Sequence, residues 1–104
     1  MARKPSSGLA GDPELLILSS LAAGPKHGYA IMLDVADFAE TKLGPGTLYS
    51  AITRLVEQGW IAPLSAPGRQ RPYRITPAGL TGFREQIERL RAIAAVASRR
   101  LRTV

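Results

Sequence analysis

Between Ala66 and Thr76 the chain carries Arg69, Arg71 and Arg74, with Gln70 between the first two and no acidic residue. Guanidinium groups present rigid forks of N–H donors that match phosphate and carboxylate oxygens. Further cations stand upstream at Lys26, Lys42 and Arg54. Shortly before Arg54, the residues Thr47, Tyr49 and Ser50 bring hydroxyls that both donate and accept hydrogen bonds. This is a chemistry of recognition, with cations for a polyanion and hydroxyls for hydrogen-bonding edges. Bond-making chemistry is not legible. The 104 residues include no cysteine and a single histidine, His27, which excludes a thiolate nucleophile, a disulfide and a multi-histidine metal site. No nucleophile–base pair or phosphate loop is evident, and the spacing of Glu40, Glu57 and Glu85 does not draw them together. The expectation is a protein that is not an enzyme and uses no metal and no cofactor.

The elements that must position these groups fit one domain. A chain of 104 residues has no room for two independent cores, and 45% apolar with 21% charged residues is ordinary for a globular protein. The net charge of +6 suggests a polyanionic partner. The longest apolar run, Leu15–Leu18, falls far short of the ~20 residues that cross a membrane. The basic start of the chain is not followed by an apolar region long enough for an export signal, so the expected location is the cytoplasm, with no membrane partner.

Residues 1–11 lack periodicity and read as a flexible basic arm. Asp12-Pro13-Glu14 is a helix start: a capping carboxylate, a proline at the first helical position and an acid at the positive end of the dipole. The first helix is predicted over 13–23, apolar nearly all round, ending at Gly24-Pro25. A second helix is predicted over 29–38, with Tyr29, Met32, Leu33 and Ala36 as its apolar face and Asp34 and Asp37 opposite. Gly44-Pro45 opens a third over 45–58, with an apolar stripe of Leu48, Ile52, Leu55 and Val56 and a stop at Gly59. Trp60–Leu64 and Tyr73–Ile75 then read as the two strands of a small hairpin, whose tip bears Arg69 and Arg71. Thr76-Pro77 starts a last helix running to about Arg102.

Along that helix Leu80, Phe83, Ile87, Leu90, Ala94, Ala97 and Leu101 alternate spacings of three and four, a heptad pattern. About 26 residues span ~39 Å, while 76 residues make a body only ~25 Å across. The stripe outruns its own domain, and a symmetric dimer covers it most simply. Packing on the first helix competes with that reading or shares the stripe with it, and Leu15 and Leu18 are the candidates on that helix.

The resulting class is mainly α with a small β-hairpin. It is a winged helix-turn-helix at 12–76 followed by a long C-terminal dimerisation helix at 77–104. The third helix is about the width of a DNA major groove, and a wing tip lays arginines beside phosphates or in the minor groove. The chain from Leu15 to Gly79 resembles the PadR family of transcriptional regulators. The resemblance is carried by Gly24-Pro-Lys-His-Gly-Tyr29, Pro45-Gly-Thr-Leu-Tyr49, Gly59-Trp-Ile61 and Gly68-Arg-Gln-Arg-Pro-Tyr-Arg-Ile-Thr-Pro-Ala-Gly79.

The resemblance implies a homodimeric DNA-binding protein, usually a repressor, paired through its C-terminal helix. It also implies that Thr47, Tyr49 and Ser50 face the major groove of double-stranded DNA and that Arg69 and Arg71 lie at the wing. Gly44 stands where the family often has serine, and Ser50 where it often has proline. Some relatives hold flat aromatic molecules with a tryptophan on the last helix; this chain has none there, and Trp60 is expected to pack. A small-molecule effector between the first and last helices is consistent with Ala92, Ala94, Ala95 and Ala97. The competing reading is a protein-interaction adaptor that docks an acidic partner.

Overall fold

The Asp12 carboxylate accepts a hydrogen bond from the Leu15 amide at 3.1 Å, and Pro13 takes the first helical position. The helix this opens, α1 (Pro13–Ala22), buries Leu15, Leu16, Ile17, Leu18, Ser20 and Leu21. Burial all round the cylinder marks it as the central element. In this computed structural model, which describes residues 12–66, 68 and 71–104, α2, α3, β2 and α4 all pack on it. The predicted arm at 1–11 lies outside the described residues.

The order continues with α2 (Gly28–Ala39), α3 (Pro45–Glu57), β1 (Ile61–Pro63), β2 (Tyr73–Ile75) and α4 (Pro77–Leu101). The element types and order match the sequence reading, with ends shifted by a residue or two. The core is built from Ile17, Leu18 and Leu21 of α1, Ile31 and Val35 of α2, and Leu48, Ile52 and Leu55 of α3, closed below by Leu43 and Ile61.

The expected apolar face of α2 is corrected. Tyr29 and Leu33 are more than half exposed and Ala36 is exposed, whereas Gly28, Ile31 and Val35 are buried. The contacts of α2 with α1 and α3 lie on the 28/31/35 side. Asp34 is not turned away from the body either, since it accepts a hydrogen bond from the buried Ser20 of α1. Counting apolar residues favoured the broader stripe, but tertiary packing chose the β-branched pair.

A Schellman motif closes α3. Gly59, at φ +79°, donates to the Val56 carbonyl at 3.0 Å, and Trp60 donates to Leu55 at 3.0 Å. The turn delivers the chain into an antiparallel hairpin with Ile61 opposite Ile75, Ala62 opposite Arg74 and Pro63 opposite Tyr73. Lys26 adds a third rung by exchanging backbone hydrogen bonds with Tyr73 at 2.8 and 3.2 Å. The wing is thereby tied to the segment that leads into α2.

Thr76 caps α4, accepting from the Gly79 amide at 3.0 Å while its hydroxyl donates to the Gly59 carbonyl at 2.6 Å. Two glycines allow α4 to lie against the hairpin root. A Cβ on Gly79 would strike the Trp60 carbonyl, and one on Gly82 would strike the Trp60 ring. Trp60 therefore packs, as expected. In the first half of α4, Leu80, Phe83, Ile87 and Leu90 are half-buried; from Arg91 onward every residue is exposed. The projecting helix raises the radius of gyration to 15.4 Å, against ~13 Å for a compact chain of about 100 residues.

Candidate nucleic-acid interface

The amphipathic division of α3 decides what it can present. Leu48, Ala51, Ile52 and Leu55 are buried, so Thr47, Tyr49, Ser50, Thr53 and Arg54 are exposed on the opposite side. At its start, Gly44 offers no side-chain cap and Pro45 and Gly46 are exposed, which leaves the first turn open to an incoming acceptor. The Thr53 hydroxyl is spent on the Tyr49 carbonyl at 2.9 Å. Thr47 and Ser50, one turn nearer the start, have no side-chain hydrogen bond among the described residues.

Tyr49 is half exposed, and its ring lies across the start of α2. Any Cβ at residue 28 would collide with its hydroxyl and Cζ, so Gly28 is required by close approach. The ring thus braces α2 against α3 on one edge and meets solvent on the other. At the same junction His27 occupies the N-cap of α2 without capping it, and its Nδ1 is buried without a partner.

The expected cations divide into two sets. Lys26 is turned inward: its ammonium donates to the Ser20 carbonyl at 2.6 Å and the Gly24 carbonyl at 3.3 Å, and lies 3.9 Å from the Asp34 carboxylate. Arg54 pairs with Glu14 of α1 at 2.6 Å. Both serve the fold. Lys42 in the connector and Arg71 and Arg74 on the wing are exposed and have no ion pair among the described residues. Arg69 and Gln70 lie outside the described residues.

The net charge is not where the sequence reading placed it. Segment 12–76 balances Lys26, Lys42, Arg54, Arg69, Arg71 and Arg74 against six acids: Asp12, Glu14, Asp34, Asp37, Glu40 and Glu57. The surplus belongs to Arg3 and Lys4 near the start and to α4 and its end, where six arginines face only Glu85 and Glu88. Any anion attraction by the helix-turn-helix is therefore local, the work of Lys42 and the wing.

Among the residues expected for dimerisation, Leu18 is sealed in the chain's own core at 1% exposure and has no surface to offer, because α1 is the central helix. Leu15 keeps an edge in a shallow groove with Asp12, Gln86, Arg89 and Leu90. Leu80, Phe83, Ile87 and Leu90 face their own domain in part, and Ala94, Ala97 and Leu101 are exposed. The stripe reading missed Ile93 and Val96, which are exposed on the same stretch of α4. Their size was the available signal, and the heptad count passed over it.

Residues 17–85 match the family described as "Transcriptional regulator PadR-like family". The fold is similar to that of a PadR family transcriptional regulator from Eggerthella lenta, with a TM-score of 0.78 and 30% identity over 90% of this chain and 85% of that one. It is also similar to a PadR family transcription regulator from Clostridium difficile, with a TM-score of 0.76 and 28% identity over 86% of this chain and 97% of that one. A curated relative, an uncharacterised 37.1 kDa protein in a transposon of Streptomyces fradiae, is 46% identical over 78 residues. That match takes in 75% of this chain but only about a fifth, 21%, of the relative.

Proposed function

The chain belongs to the PadR-like family of transcriptional regulators, and from that premise we propose that it is a homodimeric, sequence-specific DNA-binding repressor. Residues 12–76 form the reading head and residues 77–104 the dimerisation helix. The observation that carries the reading is the exposed start of α3, with Thr47, Tyr49 and Ser50 free of the core and Lys42, Arg71 and Arg74 left unpaired beside the turn and on the wing. In this reading α3 enters the major groove and its hydroxyls meet base edges, while the wing and Lys42 contact phosphates. A two-fold dimer reads a pseudo-palindrome whose half-sites lie ~10 bp apart, or a multiple of that.

Selection of bound fragments from random genomic DNA, followed by footprinting, tests the proposal. One protected site with two-fold symmetry is expected. Arg71→Ala with Arg74→Ala should weaken binding to all sequences and reduce the salt slope by about one per lost phosphate contact. Thr47→Ala should instead relax sequence preference. The balanced charge of segment 12–76 supports one other reading, an adaptor that docks an acidic protein. Failure to shift any genomic fragment near 50 mM salt would select that reading.

A further inference from the structure

Among the described residues, the exposed large apolar side chains gather in two places. One is the outer face of α2, with Tyr29 at 58% and Leu33 at 55% exposure. The other is the free end of α4, with Ile93, Val96, Leu101 and Val104; Phe38 and Tyr49 stand apart from both. Exposed apolar groups that cluster mark contact surfaces. The two clusters carry opposite charge. Asp37 and Glu40 flank the α2 face and have no ion-pair partner among the described residues. The end of α4 carries Arg91, Arg99, Arg100 and Arg102, with no acid after Glu88.

The width of the apolar arc on α4 shows that one partner helix does not cover it. At ~100° per residue, Ala94, Ala97 and Leu101 continue the line of Leu80, Phe83, Ile87 and Leu90. Ile93, Val96 and Arg100 lie about 100° further round. A seam made by the first line alone is two alanines and a leucine, far less than the ~800 Å² per partner of a standard interface. The second line needs a second element. The acids beside Tyr29 and Leu33 argue against nucleic acid on that face and in favour of a cationic helix. The lengths agree as well: the 11 exposed residues from Arg91 to Leu101 span ~16 Å and the 12 of α2 ~18 Å.

We propose that in the dimer each α4 end lies across the partner's α2, Ile93 and Val96 against Tyr29 and Leu33, and the terminal arginines against Asp37 and Glu40. This rests on the dimeric reading and adds its geometry. Docking there fixes each reading head through the helix that braces α3, so the dimer sets half-site spacing as well as stoichiometry.

The test uses the full chain, which has no native cysteine to interfere. A Leu33→Cys chain and a Val96→Cys chain, differently tagged and mixed, are oxidised and run without reductant. A heterodimeric cross-link is expected, with none when Glu57→Cys replaces Leu33→Cys. In parallel, Asp37→Lys with Glu40→Lys should weaken self-association about tenfold at low salt, as should Arg99→Glu with Arg100→Glu. Mixing the two charge-reversed chains should restore heterodimers. A dimer that persists in sedimentation with no cross-link and no response to charge reversal overturns this docking and leaves the dimeric reading standing. A wild-type chain that sediments as a monomer at micromolar concentration overturns both.

Discussion

Ser20 is fully buried, and its hydroxyl donates to one Asp34 oxygen at 2.7 Å. That bond joins α1 to α2 beside Lys26, whose backbone holds the wing. Replacing Asp34 by alanine leaves the hydroxyl without its acceptor in the core, which costs ~1–3 kcal/mol. The pair with Lys26 adds little, ~0–1 kcal/mol, because it is 3.9 Å long with side chains 20% and 34% exposed, and Lys26 keeps its carbonyl acceptors. The expected loss is about 2 kcal/mol, or a melting temperature lower by ~8–16 °C for a domain of this size. Asp34→Asn keeps an acceptor for Ser20 and should cost under ~1 kcal/mol. In a Ser20→Ala background there is no hydroxyl to orphan, so Asp34→Ala should then cost about half as much. Thermal and urea unfolding of the four-member cycle gives the coupling directly. Equal cost of Asp34→Ala in both backgrounds would refute the reasoning, as would an asparagine variant as weak as the alanine one.

Gly79→Ala drives a Cβ into the Trp60 backbone carbonyl, which has no rotamer by which to escape, and should lower the melting temperature by ~10 °C or more. Gly28→Ala meets only the far end of the Tyr49 side chain, which can swing away. Its stability should change by less than ~1 kcal/mol while operator affinity in a gel shift falls several-fold, because α3 loses its brace. Glu40 ends α2 in a left-handed conformation at φ +51°. Glu40→Gly should raise unfolding free energy by ~0.5–1 kcal/mol in denaturant titration, since the Cβ penalty there is removed. Asp12→Ala deletes the cap on the Leu15 amide and should cost ~1 kcal/mol by the same measurement.

The boundaries of the elements were legible because they are local. Asp12-Pro13, Gly44-Pro45 and Thr76-Pro77 each begin a helix, and Gly59 ends one in the conformation only glycine adopts cheaply. The all-round apolar character of α1 told correctly that it is central, and the length of the last stripe told that α4 outruns its body. These features depend on neighbours within a turn or two, so a linear reading contains them.

What the tertiary structure decided involves residues far apart in the chain. Which face of α2 is buried follows from where α1 and α3 cross it, and the crossing selected Ile31 and Val35 over Tyr29 and Leu33. Lys26 and Arg54 look alike in sequence to Lys42 and Arg71. They are tied to the fold only because α1 brings Ser20 and Glu14 beside them, 6 and 40 residues away. The sequence supplies the charges and periodicities, but whether a cation is free for a partner depends on which helices meet, and three-dimensional packing alone sets that.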